Sequence, residues 1–187
     1  MKIIAILISL IVSISAQDET APTMTIATTL EITPEVTTLA GSGSQGSANG
    51  TGTAAAFYLP TDVALDGSGN MYVADYNNHL IRKITSAGVV TTFAGSGSEG
   101  SADGTGTAAS FNQPVGVAVD GSGNVYVADY TNHLIRKITS GGVVTTLAGS
   151  GSSGSDDGTG TAASFNIPSG VAVDGSGNVY VEDTYNH

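Results

Sequence analysis

The chain has 187 residues, a formal net charge of −11 and no cysteine. The lack of thiols excludes disulfides and thiolate metal sites. The acidic balance disfavours nucleic acids and anionic lipids as partners, because a negative surface repels phosphate groups. The length is sufficient for one domain with a hydrophobic core.

The N-terminus has the pattern of a secretory leader. Lys2 precedes the apolar run "IIAILISLIVSI", and Ser15 and Ala16 follow it. We predict a signal peptide at residues 1–16 and a mature protein that is secreted or held at the cell surface without inserting into the membrane. A signal anchor is the alternative. Residues 17–35 are rich in threonine and are predicted to form an extended linker.

Internal repetition dominates the rest of the sequence. The stretch "VTTLAGSGSQGSANGTGTAAAF" begins at Val36, and close copies begin at Val90 and Val144. The repeats therefore span residues 36–89, 90–143 and 144–187, and the last of them is shorter than the others. Such similarity at constant spacing indicates that one structural unit has been duplicated.

Each repeat predicts four short antiparallel strands. In the unit that begins at Gly116 they are residues 116–120, 125–129, 133–139 and 143–148, which are rich in β-branched residues and separated by turn sequences. A turn of helix is expected in "TAASF", before the first strand. The strands do not alternate strictly between apolar and polar residues, so both faces of the sheet are expected to be covered. A four-stranded sheet packed between copies of itself is a propeller blade.

The sequence Asn-His-Leu occurs at 78–80 and 132–134, inside the longer pattern "VAD-Y-x-NHLIRKI". This pattern resembles the NHL repeat, and the resemblance covers residues 36–187. It implies a β-propeller, commonly of six blades, and the Gly/Ser-rich segments resemble those of secreted, teneurin-like members. The repeated motif residues are Asp75, Asn78, His79, Asp129, Asn132, His133, Asp183, Asn186 and His187.

The predicted fold is thus an all-β propeller that is incomplete. A closed ring takes ~4–8 blades, whereas this sequence supplies about three repeats. We expect the chain to be the N-terminal piece of a longer propeller. If it is complete, its exposed sheet edges are expected to drive self-association.

The motifs that suggest chemistry favour structural roles. "GSGSQG" at Gly41 matches a dinucleotide-binding fingerprint, but the sequence after it does not favour a helix. Asp75 with His79, and Asp129 with His133, suggest either a buried acid–imidazole pair or a carboxylate that fixes a turn, and recurrence favours the turn. The sequence "DGSGN" lacks the later ligands of a calcium loop and predicts hairpin turns capped by their first residue, which is Asp66, Asp120 or Asp174. We predict no catalytic residue, no metal ligand and no cofactor.

Departures from the repeat are better guides to a single binding site. Tyr58, Asp62 and Glu182 stand where the other repeats have asparagine, glycine and alanine, respectively. Asn49 begins the triplet "NGT" and is a candidate acceptor of an N-linked glycan, whereas the other repeats have aspartate at that position.

These observations predict a secreted, non-catalytic scaffold that binds a protein or a glycan. A propeller enzyme of the metal-dependent lyase or lactonase kind, with its site in other blades, is one alternative. A structural surface-coat protein is another.

Overall fold

The computed structural model describes residues 3–15 and 27–187, with side chains at residue 3 and from residue 34 onward. None of the helical segments in these ranges is long and apolar enough to cross a membrane. The predicted leader cleavage point after Ala16 lies outside the described residues, and so does the predicted linker from 17 to 26.

Two complete blades form the centre of the molecule, and each is a five-stranded antiparallel sheet. Blade one has the strand order β3-β7-β6-β5-β4, with β3 (Gly50–Thr51), β4 (Pro60–Leu65), β5 (Met71–Asp75), β6 (Leu80–Ile84) and β7 (Val89–Ala94). Blade two has the order β8-β12-β11-β10-β9, with β8 (Gly104–Thr105), β9 (Pro114–Val119), β10 (Val125–Asp129), β11 (Leu134–Ile138) and β12 (Val143–Ala148).

A two-stranded sheet lies at each end of this pair. The N-terminal hairpin pairs β1 (Ile3–Ser15) with β2 (Ala27–Ala40), so the last part of the predicted linker belongs to a strand. The C-terminal half-blade pairs β13 (Pro168–Val173) with β14 (Val179–Asp183). Short 3₁₀ turns complete the structure at Gly52–Ala54, Tyr76–Asn78, Gly106–Ala108, Tyr130–Asn132 and Gly160–Ala162.

The four predicted strands of each complete repeat are confirmed. The structure adds a short fifth strand, β3 or β8, in which the Gly/Ser-rich segment folds back beside the fourth strand of its blade. Two residues give too little pattern to predict a strand. The helical turn expected in "TAASF" is a single 3₁₀ turn that begins earlier, at Gly106 in the second repeat.

Blade-to-blade packing forms the core. Tyr72, Ile81 and Ala94 of blade one pack with Phe111 and Val127 of blade two in one buried cluster. The first strands β4, β9 and β13 are neighbours in this arc. Their apolar side chains cover the faces of adjacent sheets, as expected for strands without polar alternation.

Strand β2 occupies the place of a fourth strand that precedes blade one. Its partner β1 pairs Ile3 with Ala40, then shifts register and pairs Ile4 with Thr38. Strand β6 has the same register shift, since Ile81 pairs with Ala94 and Arg82 with Thr92. Strand β1 therefore takes the position of a third strand beside β2.

Gly95 provides a test of the blade geometry. Its φ is +106°, and a Cβ atom there would lie 2.6 Å from the carbonyl oxygen of His79. We expect Gly95→Ala to lower the free energy of unfolding by at least about 2 kcal/mol, because it adds backbone strain to a steric clash. Chemical denaturation measures this change.

Gly121→Ala is the matched control. A Cβ at Gly121 has no atom within 4 Å, so this variant should remain within about 1 kcal/mol of the parent chain. Equal destabilisation by the two substitutions would contradict the close approach at Gly95.

Candidate functional site

A buried ion pair occupies the same position in both complete blades. Arg82 Nη1 lies 2.8 Å from Asp75 Oδ2, and Arg136 Nη1 lies 2.9 Å from Asp129 Oδ2. All four side chains are fully buried. The guanidinium of Arg82 also lies over the ring of Phe57, 5.3 Å from its centroid. Each arginine recurs seven residues after its aspartate.

This ion pair joins the sheet to the Gly/Ser-rich loop. In blade one, Asp75 Oδ1 accepts a hydrogen bond from the backbone N–H of Tyr58, at 2.8 Å. Asn78 Nδ2 donates to Asp75 Oδ2 and to the carbonyl of Gly46, at 2.8 and 2.7 Å. The Asp and Asn of the NHL sequence thus fix the loop and the β5–β6 turn.

The acid–imidazole pairs suggested by the sequence are not formed. His79 Nδ1 instead accepts a hydrogen bond from the backbone N–H of Gln113 in the next blade, at 3.1 Å. His133 accepts from Ile167 in the same way, at 3.1 Å. Both histidines have positive φ, at 55°, and each ends the 3₁₀ turn between the second and third strands of its blade. Their hydrogen bonds link consecutive units. The general-base interpretation has no structural support at these positions.

The third repeat retains part of the same arrangement. Asp183 Oδ1 accepts from the backbone N–H of Asn166 at 2.7 Å, and Asn186 donates to Asp183 and to the carbonyl of Gly154. His187 follows with a φ of 50°. The loop is therefore anchored in the half-blade as in the complete blades.

The "DGSGN" segments are hairpin turns with a side-chain cap. Asp120 Oδ1 accepts from the backbone N–H groups of Ser122 and Asn124, each at 2.9 Å. Asp66 and Asp174 make the corresponding bonds. Hydrogen bonds lower the pKa of Asp66 and Asp174, with the largest contribution from the Asn70 or Asn178 side chain.

Asn49 is exposed, but its side-chain oxygen accepts a hydrogen bond within blade one. Asn49 Oδ1 accepts from Arg82 Nη2 at 2.8 Å, where Asp103 forms an ion pair with Arg136 at 2.7 Å in blade two. The amide Nδ2, which a glycan would modify, belongs to a side chain on the surface. Asparagine in the first repeat and aspartate in the second therefore bind the equivalent arginine of their blades.

The three departures from the repeat occupy separate structural places. Tyr58 is half-buried, and Glu182 is exposed on β14. Asp62 accepts from the backbone N–H of Val117 on the neighbouring strand β9, at 2.8 Å. No hydrogen bond or ion pair between described side chains joins these three residues, so they do not form one site.

A tyrosine follows the second strand of each unit, at Tyr76, Tyr130 and Tyr185. The rings of Tyr76 and Tyr130 meet edge to face, with centroids 6.4 Å apart. Burial raises the pKa of Tyr130, and the neighbouring phenols of Tyr185 and Tyr76 add to this effect. Tyr185 is 59% exposed. We call Tyr76, Tyr130 and Tyr185 the tyrosine row. Its sequence signal is a Tyr directly after the motif Asp in the first two repeats and one position later in the third.

The described side chains contain no group of three or more His, Asp or Glu residues arranged to hold a metal ion. A polar cavity of about 360 Å³ lies between residues 155–158 and the Asp183–Asn186 contact. Its acidic groups are Asp156, Asp157 and Asp183, and Asp183 is already hydrogen-bonded.

Comparison with known proteins agrees with this geometry. The sequence model of the NHL repeat matches residues 57–84, 111–138 and 165–187. The chain contains NHL repeats. NHL repeat-containing protein 2 of Gallus gallus is 40% identical over 100 residues, which are 52% of this chain and 14% of that protein. The secreted, teneurin-like subtype remains a prediction.

Solved structures show the same propeller architecture. A Bacteroides thetaiotaomicron protein of unknown function is 32% identical, with a TM-score of 0.64, over 79% of this chain and 36% of that chain. An auxiliary nutrient binding protein from Bacteroides ovatus is 26% identical, with a TM-score of 0.59, over 67% of this chain and 35% of that one. The NHL chain thus spans about a third of these structures.

The buried ion pair yields a stability prediction. Arg82→Met should lower the free energy of unfolding by about 3–5 kcal/mol, because it leaves the buried Asp75 carboxylate without its counter-charge. Lys83→Met is the adjacent control, since Lys83 Nζ lies over the Tyr72 ring at 5.4 Å without an ion pair, and should cost less than about 1 kcal/mol. Urea unfolding of both variants measures the difference; similar losses would contradict the assignment.

Burial raises the pKa of Asp129 to about 6, against the opposing effects of Asn132, the Asn112 backbone and Arg136. The folded chain therefore binds this proton more strongly than the unfolded chain, whose aspartate has a pKa near ~3.9. The contribution to stability is present below pH ~4 and is lost as the pH rises to about 6. Carbonyl ¹³C NMR should show Asp129 titrating near pH 6, whereas Asp174 should titrate below its ordinary range. A low pKa at Asp129 would contradict this prediction.

Proposed function

We propose that this NHL chain belongs to an exported, non-catalytic binding module whose tyrosine row holds a neutral glycan. The observation that carries the proposal is the edge-to-face contact of Tyr76 with Tyr130, together with the exposed Tyr185 that follows the second strand of the next unit. Aromatic faces stack on the C–H faces of sugars, and tyrosine adds a hydroxyl for hydrogen bonding. A protein ligand on the same surface is the alternative.

The charges of the molecule favour a neutral ligand. The two arginines are held in buried ion pairs. Lys83 and Lys137 lie over the rings of Tyr72 and Tyr126, at 5.4 and 5.6 Å. The cationic side chains of residues 34–187 are therefore engaged, and a net charge of −11 repels anions.

The main support for binding over catalysis comes from how the polar groups are used. Asp75, Asp129 and both NHL histidines are committed to structural hydrogen bonds. The Bacteroides ovatus protein that shares this fold is described as a nutrient binding protein. Export rests on the leader sequence, and it would bring Asn49 into contact with the glycosylation machinery.

The test is an array of neutral plant, fungal and bacterial oligosaccharides probed with the purified chain. Tyr185→Ser should weaken binding to any glycan that is retained by about five- to tenfold, as expected for the loss of one stacking ring. Tyr180→Ser is the control, because Tyr180 is also 59% exposed but lies on β14, outside the row. Absence of glycan binding, or equal losses in both variants, would contradict the proposal.

A further inference from the structure

Each unit has a strained residue immediately before the proline that begins its first strand. Leu59, Gln113 and Ile167 have φ values of 51°, 56° and 61°, and a proline follows each of them. This left-handed region is unfavourable for residues other than glycine, above all for a β-branched residue such as Ile167. A proline also directs the residue before it toward extended backbone. Glycine would relieve this strain, so the presence of larger side chains points to a role in function.

Gln113 lies where blade one meets blade two. Its backbone N–H donates to His79 Nδ1 at 3.1 Å, and its Oε1 accepts from Thr131 Oγ1 at 2.8 Å. His79 ends the turn of blade one that begins with Tyr76, and Thr131 follows Tyr130 in the turn of blade two. Gln113 is therefore bound to both of the turns that carry the first two rings of the tyrosine row.

The backbone around Gln113 is fixed by contacts that recur in every unit. Asp129 Oδ1 accepts from the backbone N–H of Asn112 at 2.8 Å, and the Asn112 carbonyl accepts from the backbone N–H of Thr131 at 3.2 Å. Pro114 is buried and begins β9. The first and third repeats make the corresponding backbone contacts. The side chain at this position can therefore change between units while its starting point stays the same.

The amide of Gln113 offers a hydrogen-bond donor in a fixed orientation. Thr131 holds Oε1, and the side chain is half-buried, so rotation of the amide is restricted. None of the hydrogen bonds formed within residues 34–187 uses Nε2, which leaves both of its N–H groups to donate to solvent or to a ligand. An uncharged oxygen such as a sugar hydroxyl is a suitable acceptor, whereas the acidic chain repels anions.

The repeats differ at this end of the blades and agree at the opposite end. The first, second and third repeats have Leu59, Gln113 and Ile167 before the proline, and Asn77, Thr131 and Tyr185 in the following turn. The hairpin turns at the opposite end read "DGSGN" in all three repeats. Both ends carry exposed residues, so exposure alone does not account for the difference. Varied side chains on a constant backbone are expected where a surface selects its ligand.

We propose that Gln113 selects the ligand of the tyrosine row by donating a hydrogen bond from Nε2 to one hydroxyl oxygen of a neutral glycan. This inference rests on the glycan-binding role proposed above. Leu59 and Ile167 have apolar side chains at the same position of the neighbouring units and offer no hydrogen bond. The amide of Gln113 thus fixes the register of the sugar along a row of similar rings, as a single polar group does in a largely apolar site.

The experiment probes the array of neutral oligosaccharides with purified Gln113→Leu. Leucine occupies this position in the first repeat, so the fold accepts it. The affinity for a glycan that the parent chain retains should fall about tenfold, as expected for the loss of one hydrogen bond. Gln45→Leu is the matched control, because Gln45 is exposed in the Gly/Ser-rich loop of blade one, and its affinity should equal that of the parent. An unchanged affinity in Gln113→Leu would overturn the proposal.

Deoxy analogues of the retained glycan test the contact itself. Removal of the hydroxyl that accepts from Nε2 should weaken binding to the parent chain about tenfold. The same analogue should bind Gln113→Leu as well as the intact glycan does, because the variant has no donor to lose. If every analogue affects the two chains equally, Gln113 does not contact the sugar and the proposal is wrong.

Gln113→Gly separates binding from stability. Glycine relieves the backbone strain, so half-unfolding of this variant should require at least as much urea as that of the parent chain. Its affinity for the glycan should nevertheless fall as in Gln113→Leu. A clear decrease in the urea midpoint would show that the side chain serves the fold, and would contradict its assignment to ligand selection.

The results also separate this proposal from the glycan role on which it rests. Weaker binding in Tyr185→Ser but not in Gln113→Leu would contradict only the assignment of Gln113. The reverse result would support Gln113 and contradict stacking on Tyr185. A chain that retains no glycan would contradict both, because Gln113 is assigned to the glycan site.

Discussion

The buried contact between an aspartate and an arginine is the interaction on which each blade depends. Two charges removed from water are tolerated only when hydrogen bonds replace their hydration. In blade one, the Asp75 carboxylate accepts from the Tyr58 backbone, Asn78 and Arg82, while the Nη groups of Arg82 also reach Ala56, Ala48 and Asn49. The loop cannot leave the sheet without exposing an unpaired buried charge, so a segment rich in glycine is held in one conformation despite its entropy.

This arrangement engages the repeated polar residues in contacts within the fold. The Asp75 and Asp129 carboxylates each accept three hydrogen bonds from their own fold. The NHL histidine is also engaged, because its Nδ1 holds the backbone of the next unit. Residue types that suggest acid–base chemistry thus connect a loop, a turn and a neighbouring blade.

The sequence predicted the blades well because their signals are local. Valine-rich runs bounded by "DGSGN" give the β4–β5 and β9–β10 hairpins, and the spacing gives the repeat. The partners of the buried aspartates were harder to predict. In the sequence, Asp75 is four residues from His79 and seven from Arg82. The antiparallel pairing of β5 with β6 places Arg82 beside Val73, and this pairing makes Arg82, the more distant residue, the partner of Asp75. The hydrogen bond between His79 and Gln113 could not be predicted from the sequence either, because it joins residues of two different units.

Departures from the repeat act mainly where neighbouring units meet. Asp62 stands on β4 where the other repeats have glycine, and its carboxylate accepts a hydrogen bond from the backbone N–H of Val117 on β9. This bond connects the first strands of two blades, which are not paired with each other in a sheet. The tyrosine row has a different kind of departure: Thr184 and Tyr185 stand where the second repeat has Tyr130 and Thr131. Moving the ring by one position leaves it exposed at the end of the row, while Tyr76 and Tyr130 stay half-buried against each other. A repeated scaffold thereby acquires one freely accessible aromatic face without any change in its core, which is how a symmetric fold can carry a single binding position.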